Sequence, residues 1–594
     1  MTLMQSFRNV WIWVLLATFG LGRDGFAEEI RYRVRIEGVP DRDMRRELEQ
    51  VSVMRALADR PPVSEVQLRR RARRDPPVFQ NVFRSRGFYN AAVETVFELD
   101  RRRPRVLYVI DLGEPYVLRH VRFVDAVSGE SLGRQDRDEL GLGKGRPAEA
   151  GRILDAQERL LMRLRSEGRP FPEVVDREVL VVHAARAVDV AFYVRPGEVM
   201  DFGAVSFAGL DRTEPSFMNR KIPWDAGDRY DGELVRKARR RFLDADLFSM
   251  IRVLTVDEPD DAGRLPIRVE VTERKPRSVS LAGGYRNDQG WWGLAGWEHR
   301  NLLRRGERLS LEYGISEEGF GGELLFRRPD VRQVDQSLTF RVRQDVEDTR
   351  AYESERVGVL AVFDRPLSGG WHGDLGLGYR YSSVVDALES RDFSLAYLPV
   401  GLSLDRSDEP LDPRRGYRLS LGAAPYVDVP DGELFFVKSR VSATLYQPLT
   451  RSPEIDWAGR ASLAVIAGEA RNALPADERY FTGGGGSLRG YPYQTVGPLE
   501  DGTPLGGRSV ILLSQELRWR LGRFFGLTAF LDGGTVTEEA WFDEAVDDFR
   551  WGTGIGVRYF TPVGPLRLDV AVPLNRRPEI DDPWQFYISL GQAF

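Results

Sequence analysis

The chain has 594 residues, 0 cysteines, 4 histidines and a formal charge of −5, with 85 Lys and Arg set against 90 Asp and Glu. That length exceeds one ordinary hydrophobic core, so several domains are expected, and the lack of thiols excludes disulfides, a thiolate nucleophile and Cys-based metal sites. A charge so near balance argues against a nucleic-acid partner, and His120, His183, His299 and His372 are scattered without any metal-ligand spacing.

In chain order, the first segment reads as a secretory signal. Arg8 supplies positive charge, Val10 to Leu21 form an apolar run, and Gly25-Phe26-Ala27 place small residues at a cleavage position. The run is too short to span ~30 Å of hydrocarbon as a helix. Cleavage after Ala27 is expected, so residues 1–27 are assigned to the signal; an uncleaved anchor is the alternative.

Residues 28–275 mix helical and strand patterns, and they repeat. A helix ends in a tight turn, then an aromatic, then a strand, at Phe83–Leu99, Leu164–Val181 and Phe242–Val256. Leading strands precede these ("IRYRVRIEGV" from Ile30, "YVLRHVRFV" from Tyr116, "MDFGAVSFAGL" from Met200) and closing strands such as "PIRVEVTERKP" follow. A spacing of roughly eighty residues implies a modular array, with expected units at 28–112, 113–197 and 198–275. Each reads β, helices, β, β. The Arg-rich stretches Gln67–Arg74 and Val235–Phe242 read as solvated helix faces rather than contacts for an acidic partner or anionic lipid.

Past Arg277 the helical pattern stops, and residues 276–594 alternate in polarity between Gly, Asp and Pro turns. In "ILLSQELRWRL", Leu513, Leu517, Trp519 and Leu521 oppose Ser514, Glu516, Arg518 and Arg520; in "PLRLDVAVPL", Leu566, Leu568, Val570 and Val572 oppose Arg567 and Asp569. Alternation alone does not separate a soluble sandwich from a membrane barrel. A mean hydropathy of −0.36 does not exclude the barrel, because only every second residue of such a strand meets lipid. Export, the absence of helical patterning to the chain's end, and a last segment "QFYISLGQAF" with Phe586, Ile588, Leu590 and Phe594 on one face favour a barrel. At roughly ten residues per strand plus turns, about sixteen antiparallel strands are expected.

Four motifs, "GGGGSLRGYPY" around Arg489, "FLDGG" around Asp532, "LDPRRGYRLSL" and "LDADLFSMIRV", then carry a resemblance to the Omp85 superfamily. "GGGGSLRGYPY", with Leu488, Arg489, Gly490 and Tyr491, resembles the (V/I/L)RG(F/Y) motif of its long sixth loop. "FLDGG", with Phe530, Asp532 and Gly534, resembles FxDxG of a late barrel strand. "LDPRRGYRLSL" matches its DPxxG turn, and "LDADLFSMIRV" matches the end of a POTRA (polypeptide-transport-associated) helix. The resemblance spans the mature chain. It implies a fold of three POTRA units, each βααββ and in the α+β class, followed by an all-β transmembrane barrel in the outer membrane, with the POTRA units in the periplasm.

The resemblance also implies that the sixth loop folds into the lumen and that Arg489 meets Asp532, with Phe530 and Gly534 shaping the contact. A bidentate Arg–carboxylate pair is geometrically specific, so this pair is expected to pin a lid and to catalyse nothing. A seam between the first strand, Arg277–Asp288, and the last is expected to be weak: Gly283, Gly284 and Gly591 supply little packing, and Ser280 is expected to lie across from Ser589, with Phe594 ending the strand. A seam with few ladder bonds would offer a strand edge to a client. Within the superfamily three POTRA units resemble the TamA branch, the outer-membrane side of the translocation and assembly module. That branch implies a TamB-like inner-membrane-anchored partner, unfolded outer-membrane clients such as autotransporters, contact with outer-membrane lipids, and no cofactor. A BamA-like general insertase and a passive pore with docking domains are the alternatives.

Overall fold

The computed structural model describes residues 30–590 apart from 100–103, 133–137, 139, 257, 287–288, 388, 543–547 and 562–563. The expected signal, residues 1–27, and two of the seam residues, Gly591 and Phe594, lie outside the described residues.

Three small sheets come first, all with one order. In the first, strand Arg105–Asp111 is central: it runs parallel to Arg33–Glu37 and antiparallel to Ala92–Glu98. The second places Ala187–Arg195 between Val117–Asp125 and Glu173–Val182. The third places Leu265–Glu273 between Phe202–Ala208 and Phe248–Thr255. The closing strand takes the centre because its alternate residues are the most apolar: Val106, Tyr108 and Ile110 in the first, and Ile267, Val269 and Val271 in the third, are all buried. Helices cover one face. The first sheet carries Arg42–Val51, Val53–Ala56, Glu65–Ala72 and Asp75–Ser85, the second Ala150–Ser166, the third Pro215–Arg220 and Gly232–Asp244. Buried Asp75 accepts from the Ser52 hydroxyl at 2.6 Å and from Val53 N–H at 2.7 Å, closing the turn between two of these helices. The Arg-rich helix Glu65–Ala72 is half solvated, and its Arg69–Glu65 pair is the ordinary i,i+4 kind.

The third repeat is bound to the barrel's turns. Lys221 Nζ meets Asp330 at 2.8 Å with both groups buried, and Asn301 donates to Thr213 at 2.9 Å. Arg304 donates to the Arg212 carbonyl at 2.8 Å, and Arg305 to Glu214 at 2.7 Å. Near the barrel's start, burial works to raise the Glu273 carboxyl, but N–H groups of Thr213, Arg212 and Asp211 outweigh it and hold the pKa below the usual range. Turns 301–307 and 330–336 therefore mark the rim that carries the third repeat.

Among the described residues the barrel is closed and antiparallel throughout, in seventeen strand segments. Two of them, Ser390–Tyr397 and Val400–Asp405, are in line, since both pair with Trp371–Asp386 on one side and with Gly416–Asp428 on the other. Pro399 lacks an N–H and breaks the ladder there; its carbonyl still accepts from Gly376 at 2.7 Å. The segments thus make sixteen strands, and an all-antiparallel closed barrel needs an even number. Which face meets lipid is settled by exposure. Leu566, Leu568, Val570 and Val572 are exposed while Arg567 and Asp569 between them are buried. Leu517, Trp519 and Leu521 are likewise exposed while Glu516 and Arg518 are buried. Apolar residues face outward and charges inward, the inverse of a soluble sandwich.

Candidate functional site

Strand Glu454–Gly468 and strand Ser509–Leu521 are neighbours in the barrel wall, yet residues 469–508 lie between them. This connection is the sixth on the side away from the third repeat. It turns inward: Leu488, Arg489 and Tyr491 are buried. Gly483 and Gly490 adopt φ of +116° and +101°, a region that side-chain-bearing residues rarely enter. The Ser487 hydroxyl lies 3.0 Å from Gly483 N and 2.9 Å from its carbonyl, closing the turn before the tip.

At the tip Arg489 is 3% exposed. Its Nε and Nη2 donate to the two oxygens of Asp532 at 2.6 and 2.9 Å, a planar fork. Nη1 reaches two further carboxylates, Glu516 at 2.8 Å and Asp569 at 3.1 Å. Below the guanidinium lies the Phe530 ring, its centroid 3.5 Å from Cζ, a cation–π contact in a desolvated place. Phe530, Asp532 and Gly534 share one face of strand Phe525–Thr537 because strand side chains alternate. A Cβ on Gly534 would come within 2.9 Å of Leu512 and 3.4 Å of the Leu488 side chain, so its absence leaves room for the loop. Gly490 N–H donates to the Tyr587 hydroxyl at 3.1 Å. The Tyr491 hydroxyl lies 2.7 Å from Asn575 Oδ1 and 2.9 Å from the Trp551 carbonyl.

Sequence reasoning paired Arg489 with one carboxylate; the structure brings three to it. Glu516 and Asp569 are in turn held by Arg518, Arg558 and Arg567. The available signal was the inward parity of Glu516 and Asp569 on strands flanking the "FLDGG" strand and its neighbour. A second anchor was also missed. Asp477 and Glu478, just before the glycine run, meet Arg380 of strand Trp371–Asp386, with Arg380 Nη2 to Asp477 at 2.8 Å. Lys438 Nζ lies 2.5 Å from Glu478. The loop is thus fixed by its acids on one group of strands and by its arginine on another.

Close packing at the tip yields a test. A Cβ on Gly552 would stand 2.0 Å from the Arg489 carbonyl oxygen, whereas one on Gly486 would meet nothing within 4 Å. Gly552→Ala is expected to cost about 1–3 kcal/mol of loop docking and to open residues 479–498 to protease in the folded barrel. Gly486→Ala is expected to leave cleavage unchanged. Equal protection in both variants would contradict the packing.

The seam is sparse. The first strand, Arg277–Arg286, pairs with the second at ten successive positions, and the last, Gln585–Leu590, pairs with its predecessor at six. Between first and last, among the described residues, one pair forms: Arg286 with Tyr587. Extending that antiparallel register places Ser589 opposite Gly284 and Ile588 opposite Tyr285. Ser280 does not lie across from Ser589, as the sequence reading expected. Barrel strands tilt and shear, so the first and last strands are offset along the seam. Ser589 instead accepts from Arg567 Nε at 2.8 Å. Gly283 and Gly284 pair with Gly293 and Trp292 of the second strand.

Residues 301–594 match the family model described as the Omp85 superfamily domain, and residues 200–274 the one described as POTRA, surface antigen variable number repeat. The outer membrane protein assembly factor BamA of Neisseria meningitidis serogroup B is 22% identical over 492 residues, covering 73% of this chain and 61% of the relative. The sorting and assembly machinery component 50 homolog of Mus musculus is 24% identical over 411 residues, covering 62% of this chain and 85% of the relative. The crystal structure of BamA from Haemophilus ducreyi lacking POTRA domains 1–3 superposes with a TM-score of 0.63 at 18% identity, covering 79% of this chain and 99% of that one. This chain spans about three fifths of the Neisseria relative's length.

Proposed function

Because the chain belongs to the Omp85 superfamily, we propose that it is an outer-membrane protein assembly factor, working without ATP from the outer membrane with its POTRA domains in the periplasm. The observation that carries this reading is a seam joined, among the described residues, at one register pair, beside a loop anchored inside the barrel. Such a seam gives way at the cost of few ladder bonds, each worth about 1 kcal/mol net. It then offers strand Arg277–Arg286 as an edge on which a client strand adds by β-augmentation. Free energy for insertion comes from the client, which buries its lipid-facing apolar surface and satisfies its backbone as it folds. The sheet edges of the POTRA units would receive extended clients by the same pairing. Two relatives are named for assembly, as BamA and as sorting and assembly machinery component 50. The finer reading is a TamA-type subunit with autotransporter clients and a TamB-like partner; three small sheets ahead of the barrel favour it.

The test is reconstitution of the full chain in liposomes with a urea-denatured autotransporter barrel, folding being read by heat-modifiable migration. Client folding several-fold faster than in liposomes carrying an unrelated sixteen-stranded barrel is expected. Equal rates would refute the assembly role, and a large steady conductance alongside them would assign a passive pore.

A further inference from the structure

Arg558, on strand Arg550–Thr561, is the largest fully buried side chain of the barrel, at 2% exposed. Its Nη1 is occupied: it meets Asp569 and donates to the Val557 carbonyl at 3.2 Å. The opposite edge of the guanidinium, Nε with Nη2, makes no hydrogen bond, and Glu516 Oε1 stands 3.8 Å from Nη2. In Arg489 this same edge grips Asp532. A buried pair of charged donors left unmade is expensive, so the edge calls for an acceptor.

A cavity of about 20 Å³ lies here, lined by Arg558, Thr528, Arg518, Arg520, Asp412 and Asp456 among others. Thr528 is 2% exposed and its hydroxyl too has no hydrogen-bond partner. Both carboxylates on the wall are engaged elsewhere: Asp412 with Arg520, and Asp456 with the Arg414 fork at 2.8 and 3.2 Å. The volume exceeds the ~10–15 Å³ that one water-sized occupant needs. Charge decides between water and an ion. In the cluster around Arg489 four guanidiniums, of Arg489, Arg518, Arg558 and Arg567, face three carboxylates, of Glu516, Asp532 and Asp569, while on the cavity wall Arg520 faces Asp412, and Arg414 faces Asp456 and the exposed Glu454. The cluster that anchors the loop carries one positive charge in excess. A water would satisfy the donors and leave that charge; an anion does both.

We propose that this cavity binds one monatomic anion of chloride size, held by the Nε/Nη2 edge of Arg558 and the Thr528 hydroxyl, and that the ion completes the charge balance of the loop anchor. The test is the thermal unfolding midpoint of the full chain in micelles, in sodium gluconate, chloride or bromide at constant ionic strength so that general screening is equal. Chloride and bromide are expected to raise the midpoint by several degrees, saturably, with gluconate giving no rise. Thr528→Val is expected to remove most of the rise while leaving the gluconate midpoint in place, and bromide-soaked crystals to show an anomalous peak at Arg558. Identical midpoints in the three salts would mean that a water fills the cavity and would overturn the proposal. So would a full rise in Thr528→Val, or no bromide peak at Arg558.

Discussion

Arg489→Ala is expected to free the loop tip and to raise the steady conductance of the barrel in planar bilayers. The substitution strips three buried carboxylates of a shared partner. Removing one member of a buried ion pair costs about 3–5 kcal/mol, because the other is left uncompensated, and the Phe530 contact at 3.5 Å is lost as well. Arg489→Lys retains the charge without the planar fork, so it should fall between wild type and Ala. Asp532→Asn should be milder than Arg489→Ala, since Glu516 and Asp569 still hold Nη1. For the same reason the double reversal, Arg489→Glu with Asp532→Arg, should recover only part of the loss: the new glutamate still faces Glu516 and Asp569. Release of the tip leaves Asp477 and Glu478 on Arg380 and Lys438, so Arg489→Ala combined with Arg380→Ala should exceed either single change. If conductance and protease protection of residues 479–498 stay at wild-type levels in Arg489→Ala, the loop is not held by this cluster.

What the sequence made legible follows the range of the interactions. The inward and outward faces of the barrel were readable because side-chain parity along a strand is local. The exposed Leu566–Val572 set and the buried Arg567 and Asp569 fall on the sides the alternation separates, though only burial shows which side meets lipid. The motifs bring Arg489 to mind beside Asp532, but nothing local says that Asp569, eighty residues on, reaches the same guanidinium. That contact depends on strand order and shear around the barrel. The same lack hid the anchor of Asp477 and Glu478 and misplaced Ser280 against Ser589. Register between two strands far apart in sequence is set by closure of the whole barrel, and no turn connects the first strand to the last to fix it.

That register gives the second large effect. Cysteines at Tyr285 and Ile588 are expected to form a disulfide, because both lie on the lipid-facing side and extension of the Arg286–Tyr587 pair puts them opposite each other, within the Cβ separation a bridge needs. The chain has 0 cysteines of its own, so the pair would be the only thiols present. Cysteines at Ser280 and Ser589 should not cross-link. With the Tyr285/Ile588 pair oxidised, client assembly in liposomes is expected to fall to the background of lipid alone and to return on reduction. Tyr587 makes the consequence wider than the seam. It stands at the one described seam pair, its ring would lie 2.6 Å from a Cβ on Gly485, and its hydroxyl accepts from Gly490. The last strand therefore cannot swing away without giving up its hold on the loop. Locking the seam should thus also keep the loop protected from protease while client is present, where the reduced protein loses protection. Full client assembly with the bridge closed would refute opening at this seam and leave the POTRA sheets as the place where clients are received.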